Sequence, residues 1–514
     1  MAKICLCLTA KTIDRNLEIL NKYRKFTDIA ELRVDCLNPD ERLLIRRFPE
    51  LAGLPVILAI RRDIDGGYFT GGEGERVKLL ARGLAYANAD SRFNFAYMDI
   101  EDDFDVPSLE EAARTFGTRI IRSYHDLSGV IEDIPAKMKS MRHAGDEIVK
   151  IAVAVKSTGD VLRIFQASKS SPAQDKILIG MGHYGVYSRI LAERFGSFLC
   201  YSSALSENEA PAAAGQVDVR ELAELYRFKN ISGKTKIFGV AGNPLKASVS
   251  PWFFNTIFGL ENTDAVYVPF PANSVADFLK LAKQLEVQGL SITVPFKEEV
   301  LSKLANYSTV VRSIGACNTM KYFSEGWYGD NTDCTGFSDS LLNFLGLKNL
   351  KKQKVTIVGA GGAARAVAAE IFRLGGKALI LNRTVHRARN LASSYNFRWA
   401  APDDHGIEMM AKFSDIIIQT TSVGMEGYEE ANPLELYTFT GRESVMDLIY
   451  TPSRTPFLKR AAAAGCRTIN GFDMVIRQAC LQYASFTGRD IPQQLLARIN
   501  ETGESTWNRI RAKE

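Results

Sequence analysis

Lys354–Thr384 reads KVTIVGAGGAARAVAAEIFRLGGKALILNRT. The apolar run Val355–Val358 leads into Gly359, Gly361 and Gly362, an alanine-rich helical segment follows, and Ala378–Leu381 is a second apolar run. Strand, glycine turn, helix and strand make the start of a Rossmann unit, where glycines let the backbone approach a pyrophosphate at the helix amino terminus. Gly359, Ala360, Gly361, Gly362 and Ala363 form the candidate turn, and Ala364 takes the third, small-residue position of GxGxxG. An NAD site usually ends its second strand on Asp or Glu to hold the ribose hydroxyls. Here Asn382, Arg383 and Thr384 stand there, with Arg387 following. Cations at that place favour a 2′-phosphate, so NADP(H) is the expected cofactor. TTSVGM, Thr420–Met425, follows the run Asp415–Gln419 and brings Thr421 and Met425 to the carboxyl edge of the sheet, near the nicotinamide half.

Upstream, eight β-rich runs recur: Lys3–Leu8, Ile29–Leu37, Val56–Arg61, Phe95–Glu101, Arg119–Asp126, Glu147–Val155, Lys176–Gly182 and Phe198–Leu205. Helix-compatible segments separate them. Eight strand–helix alternations over about one barrel length predict a (β/α)8 barrel with its site at the carboxyl ends of the strands. Glu31 and Arg33 share a face, since side chains alternate along a strand. Arg61 closes the third run, His125 the fifth, Lys150 lies in the sixth, and Arg189 and Gln216 follow the seventh and eighth. Charge inside a barrel is costly unless paired, which invites a functional reading of these residues.

The chain crosses Ala210–Gly215, a polar helix-like stretch and the turn-prone Asn230–Lys236 before a new strand begins at Ile237, placing a boundary near residue 230. Runs at Ile237–Val240, Ala265–Phe270 and Gly289–Val294 then precede the Rossmann signal. The expected class is therefore α/β: an amino-terminal TIM barrel, then a two-lobed α/β unit with a Rossmann domain. No internal repeat or low-complexity tract is present.

At 514 residues the chain exceeds one hydrophobic core, and its 46% hydrophobic and 24% charged content is that of a globular protein. A net charge of +5 without basic runs suits anionic metabolites and argues against nucleic acid. Eight scattered cysteines without CxxC spacing read as reduced, buried thiols of a cytoplasmic enzyme, and five histidines without a ligand cluster give no metal. A strand starting by Lys3 leaves no room for a leader, and no run reaches the ~18 apolar residues of a membrane span. The expected partners are small molecules, with no membrane and no required oligomer.

Between boundary and Rossmann unit, NPLKASVSP offers Ser248 and Ser250, SITVPFKE Thr293 and Lys297, SIGACNT Asn318, and GDNTDCTGF Asp333. Hydroxyls and an amide suit a polyhydroxylated carboxylate substrate. A lysine held by an aspartate can protonate a ketone oxygen as hydride arrives. These motifs, with GAGGAAR, NRTVHRA, DLIYTP and NGFDMVIRQA in that order, resemble the shikimate dehydrogenase family from about 236 onward. The resemblance implies that Lys297 and Asp333 are the catalytic pair and that Ser248, Ser250, Thr293, Asn318, Tyr450 and Gln478 bind substrate. It also implies that Asn382, Arg383, Thr384 and Arg387 hold the NADP phosphate and that Gly471 lies at the cofactor. Ser291 departs from the asparagine many members carry.

AELRVD, AIR, SYHD, VKIAV, GVYSR and AAAGQ resemble type I 3-dehydroquinate dehydratase over roughly residues 1–225. The resemblance implies a Schiff base on Lys150 with His125 as general acid/base. A lysine in a barrel of lowered dielectric, near other cations, is favoured in the neutral form that attacks a ketone; the iminium acidifies the adjacent carbon, His125 removes that proton, and protonated His125 helps the hydroxyl leave. Glu31, Arg33, Arg61, Asp65, Arg189 and Gln216 match substrate contacts, with the arginines as carboxylate clamps. Asp65 stands where many bacterial members have glutamate, and Ala212 where the family has a substrate-contacting serine. Gly66–Glu75, GGYFTGGEGE, reads as a flap or an exposed hairpin.

The expected function is that of plant-type fused enzymes of the shikimate pathway, which leads to chorismate and aromatic amino acids: dehydration of 3-dehydroquinate on the barrel, then NADPH reduction of 3-dehydroshikimate to shikimate. The expected domains are 1–229, 236–335 and 336–471, with 472–514 packing back on the second. Two alternatives stand beside this: a reductase preferring quinate or a related hydroxy acid, and a barrel kept only as a binding module.

Overall fold

The computed structural model describes residues 1–84, 90–170, 175–207, 211–245, 248–425 and 430–499. They divide into two compact units: residues 1–245 with 255–287, and residues 248–254 with 288–499. Ala210 and residues 500–514, named in the expectations above, lie outside the described residues.

In unit one, β1 (Lys3–Leu8), β2 (Ile29–Arg33), β3 (Val56–Ala59), β4 (Tyr97–Glu101), β5 (Arg119–Asp126), β6 (Ile148–Ala154), β7 (Lys176–Met181) and β8 (Leu199–Ser202) form one parallel sheet ordered β7-β6-β5-β4-β3-β2-β1-β8. A bridge from Lys176 to Ser197 brings its two edges together, giving a nearly closed barrel. The interior is filled by residues two apart on each strand, such as Cys5 and Cys7, Ile177 and Ile179, and Leu199 and Tyr201. That is the period of a strand with one face inward. β9 (Lys236–Gly242) and β10 (Ala265–Pro271) follow as a parallel pair, and a helix over Val275–Gln284 capped by Ser274 completes the unit.

Two readings of the sequence change. The second run ends at Arg33, because Val34–Cys36 coils into a 3₁₀ turn that points Asp35 back at Arg33. The glycine-rich stretch is no continuous flap: Glu73 already opens a helix, Glu73–Leu84, whose first turn carries Glu73 and Glu75 where the helix dipole favours anions. The preceding turn is tied down by Phe69 N–H to the Arg61 carbonyl and Tyr68 N–H to Asp35.

In unit two, β11 (Val287–Ile292) pairs antiparallel with β13 (Thr319–Phe323), β13 forms a hairpin with β14 (Gly326–Asp330), and β12 (Asn306–Tyr307) adds parallel to β14. β15 (Lys354–Val358), β16 (Lys377–Leu381), β17 (Arg398–Ala400), β18 (Ile416–Gln419), β19 (Ser444–Asp447) and β20 (Arg467–Ile469) make a parallel sheet ordered β17-β16-β15-β18-β19-β20. This is the doubly wound order, with its switch point between β15 and β18. The helix Phe472–Thr487 packs back on the first sheet, so closely that a Cβ on Gly289 would sit 2.5 Å from Phe486.

Candidate active sites

The barrel mouth holds a cavity of about 340 Å³ lined by Glu31, Arg33, Arg61, Asp65, His125, Lys150, Arg189 and Gln216 together. All the barrel residues singled out in the sequence therefore converge. Lys150, on β6, donates to Asp99 Oδ2 at 2.7 Å. Asp99, on β4, also takes Arg61 at 2.8 Å and the Ser123 hydroxyl at 2.6 Å. Burial alone would raise the Asp99 carboxyl, but the Arg61 and Lys150 cations outweigh it and hold the group well below the usual carboxylate range. Burial, and after it the Arg61 and Lys150 cations, push the His125 imidazole well below 6.5, leaving a neutral ring able to accept a proton.

The three arginines are not equivalent. Arg33 is held by both oxygens of Asp35, at 2.9 and 2.6 Å. Arg61 is bound by Asp99 and Glu101. Arg189 meets only the carbonyls of Tyr201 and Ala214 at 3.5 and 3.3 Å, its buried Nε has no partner, and among the described residues no carboxylate pairs with it. A buried guanidinium without a carboxylate partner, facing a cavity, is suited to receive a carboxylate. Asp65 is held by Arg62 at 2.7 Å, with burial raising its carboxyl. Gln216 bonds Ser203 and, at 3.2 Å, Cys7. Ala212, Ala213 and Ala214 give the loop after β8 an apolar wall.

In unit two, Lys297 donates to Asp333 Oδ2, and the Asn318 amide donates to Asp333 Oδ1 at 2.8 Å. Asn318 also reaches Thr332 at 3.0 Å and Gln478 at 3.1 Å. Asp333 opens the helix Asp333–Leu345. Ser248 accepts from Ser250 N–H at 3.4 Å where the helix Ser250–Leu260 starts, and the Thr293 carbonyl accepts from Phe296 in the turn leading to Lys297. Among the described residues these three are not drawn into the Lys297–Asp333–Asn318–Gln478 chain. Tyr450 is half-buried in the loop after β19. The Ser291 hydroxyl is committed to Gln482 at 2.7 Å, and Gln482 in turn holds the Asn318 carbonyl and Thr319 at 3.1 Å each.

The glycine turn fits a dinucleotide phosphate. Gly359 has φ 117°, and a Cβ there would meet Thr420 Oγ1 at 2.4 Å, so the turn and the strand end close on each other only with glycine. Over Gly361 and Gly362 a Cβ would meet nothing within 4 Å, leaving open space at the start of the helix Gly362–Arg373. Ala360 and Ala363 flank that space, and Ala364 is buried in the core below it. Asn382 bonds the Thr384 carbonyl at 2.9 Å, shaping the loop from which Arg383 stands exposed, and Arg387 is exposed in the first turn of the following helix, Val385–Ser393. Thr421 accepts from Val423 at 3.2 Å, and Met425 ends the same turn. Gly471 caps the helix Phe472–Thr487 with its Cα side against the Leu448 carbonyl.

Sequence reasoning missed Asp99, Glu101 and Gln482. The first two were legible in part: they sit two apart on β4, facing the interior of a barrel whose other charges lacked partners. Gln482 left no local signal, since its partners lie about 160 to 190 residues away.

A barrel with a buried lysine and a neutral histidine, joined in one chain to a dinucleotide-binding unit with a lysine–aspartate pair, defines a two-site carbonyl enzyme. Residues 4–232 match the model described as "Type I 3-dehydroquinase", 240–320 "Shikimate dehydrogenase substrate binding domain", and 343–426 "Shikimate / quinate 5-dehydrogenase". The chain is 34% identical to a shikimate dehydrogenase (NADP(+)) of Caulobacter vibrioides over 52% of this chain and 95% of that one. It is 29% identical to the bifunctional 3-dehydroquinate dehydratase/shikimate dehydrogenase, chloroplastic, of Arabidopsis thaliana over 96% of this chain and 84% of that one. A solved Thermus thermophilus shikimate 5-dehydrogenase in complex with NADP(H) and shikimate is 28% identical, with TM-score 0.46, covering 53% of this chain and 99% of that one. The chain belongs to the shikimate dehydrogenase family, with a type I 3-dehydroquinase domain ahead of it.

Proposed function

We propose that this chain dehydrates 3-dehydroquinate through a Schiff base on Lys150 and reduces the resulting 3-dehydroshikimate to shikimate with NADPH. The observation that carries the first half is the convergence of Lys150, neutral His125 and acid-free Arg189 on one cavity. Arg189 takes the substrate carboxylate. The Lys150 nitrogen adds to the ketone carbon, and the oxygen leaves as water. Asp99, 2.7 Å from that nitrogen, serves an iminium as it serves an ammonium, because both place positive charge at the same atom. His125 removes a proton from the carbon beside the iminium and returns it to the departing hydroxyl. Hydrolysis of the imine then frees the product.

In the second unit the open turn at Gly361 and Gly362 and the exposed Arg383 and Arg387 fit NADPH, with no carboxylate at the end of β16 to repel a 2′-phosphate. Bound there, the cofactor supplies hydride to the ketone carbon. Lys297, oriented by Asp333, donates a proton to the ketone oxygen, and Asn318 fixes Asp333 through its second oxygen. Ser248, Ser250, Thr293, Tyr450 and Gln478 are assigned to the substrate's hydroxyls and carboxylate. We assign 1–229 to the barrel, 236–335 to substrate binding and 336–471 to the cofactor, with the helix Phe472–Thr487 returning to the substrate sheet. Eight free cysteines suit a reducing compartment such as the cytoplasm.

Mixing the protein with 3-dehydroquinate and NADPH tests both halves. The reading predicts loss of nicotinamide absorbance, none with Lys150→Ala, and recovery in that variant on adding 3-dehydroshikimate. No oxidation from dehydroquinate in the wild type, with activity on dehydroshikimate, would mean a catalytically dead barrel. Turnover of quinate well above shikimate would overturn the reductase assignment.

A further inference from the structure

Tyr201 is the only hydroxyl-bearing residue among the described residues lining the barrel cavity, yet its hydroxyl is buried and has no hydrogen-bond partner. A buried, unpaired phenol is unfavourable, so hydrogen bonding does not explain the residue. Its ring does something else: the centroid lies 4.4 Å from Lys150 Nζ. β8 sets this by alternation, with Leu199 and Tyr201, two residues apart on the same short strand, both facing inward. Burial, reinforced by Glu31 and Asp99, keeps the phenol far from ionising, so the ring stays neutral beside the amine.

We propose that Tyr201 is a further catalytic residue of the dehydratase, its aromatic face stabilising the positive charge that develops at Lys150 Nζ during Schiff-base formation. The inference rests on the Lys150 reading above. A neutral amine adding to the ketone takes up one proton as the carbonyl oxygen departs as water, so the nitrogen goes from uncharged, with two hydrogens, to cationic with one. Asp99 can accept only from the hydrogen that remains. The ring quadrupole needs no hydrogen, and it favours a flat, weakly hydrated iminium as well as it favours any cation. The ring therefore assists where the hydrogen-bonding share of the stabilisation shrinks. Ala152, Ala212 and Ala213 pack in the same apolar cluster as the ring, which lowers the local dielectric and strengthens the contact.

The test uses the full-length chain with Tyr201→Phe, Tyr201→Leu, and phenylalanine at 201 carrying one, two or three ring fluorines, which weaken the face without altering its shape. Each is scored for borohydride-trapped 3-dehydroquinate adduct and for dehydration kcat and KM, with 3-dehydroshikimate reduction as the control for intact protein. Tyr201→Phe should keep wild-type trapping and kcat within about 2-fold, with equal or higher thermal stability. Tyr201→Leu should lose roughly 3- to 30-fold in both with reduction unchanged. If leucine disrupts the barrel, the fluorine series decides: trapping and kcat falling with each fluorine support the inference, and a flat series overturns it. A wild type that traps nothing overturns the Schiff-base reading and this inference with it. Wild-type trapping with no dependence on the ring overturns this inference alone.

Discussion

The molecule contains two lysine–aspartate pairs, to which the proposed function gives opposite tasks. Lys150 and Asp99 meet at 2.7 Å with side chains 6% and 0% exposed; Lys297 and Asp333 meet at 2.5 Å with 23% and 14% exposed. Asp99 divides itself between Lys150 and Arg61, and a neutral imidazole and an aromatic ring stand close by. Asp333 faces one lysine and one amide, at the start of a helix. On the proposed reading the first lysine bonds to carbon and the second hands a proton to oxygen. What would separate nucleophile from acid is then the company around the pair, not the pair.

The largest expected effect is that of Lys150→Ala, which removes the bond-forming atom: dehydration should fall by roughly 10⁴-fold or more while 3-dehydroshikimate reduction stays within 2-fold. Lys297→Ala should do the converse, costing roughly 10²–10⁴ in reductase kcat and nothing in the barrel. Equal damage to both activities from either change would end the comparison. Asp99→Asn leaves Arg61 with one carboxylate and Lys150 with none, so dehydration should drop by roughly 10- to 100-fold. The barrel should also lose about 3–5 kcal/mol, read by denaturant titration. Arg383→Ala with Arg387→Ala should raise the NADPH KM about 10-fold or more and leave that for NADH in place.

Two pH dependences sharpen the contrast. Because His125 titrates well below 6.5, dehydration kcat should not decline between pH 8 and pH 6; an inflection near 6.5 would mean a charged imidazole. Asp447 is buried with no cation beside it among the described residues, and burial raises its carboxyl to about 7 against Thr455 and the Ile449 N–H. Between about pH 4 and 7 the unfolded chain has lost this proton and the folded chain keeps it. Stability of the second unit should therefore fall as pH rises through that window, by up to ~1.4 kcal/mol per pH unit, and Asp447→Asn should flatten the slope.

The strands were legible because each is an apolar run whose inward residues recur at period two, and β1 and β5 match residue for residue. The Rossmann turn was legible because its glycines fall within four successive residues, Gly359 to Gly362. What was hidden depends on partners far along the chain. Arg33 and Arg61 read as free clamps, since nothing local shows that Asp35 folds back or that Asp99 and Glu101 lie across from β3. Tyr201 drew no reading from the sequence for the same reason: it and Lys150 are about fifty residues apart, and only barrel closure puts its ring beside the amine. Ser291 shows the converse, a departure visible in the sequence whose consequence, the bond to Gln482, required the fold.

Borohydride reduction of the wild-type chain with 3-dehydroquinate, followed by peptide mass mapping, tests the division of labour most directly. One substrate-derived adduct on the peptide containing Lys150, with the Lys297 peptide unmodified, is the predicted result. An adduct on Lys297, or none on Lys150 while dehydration proceeds, would contradict it.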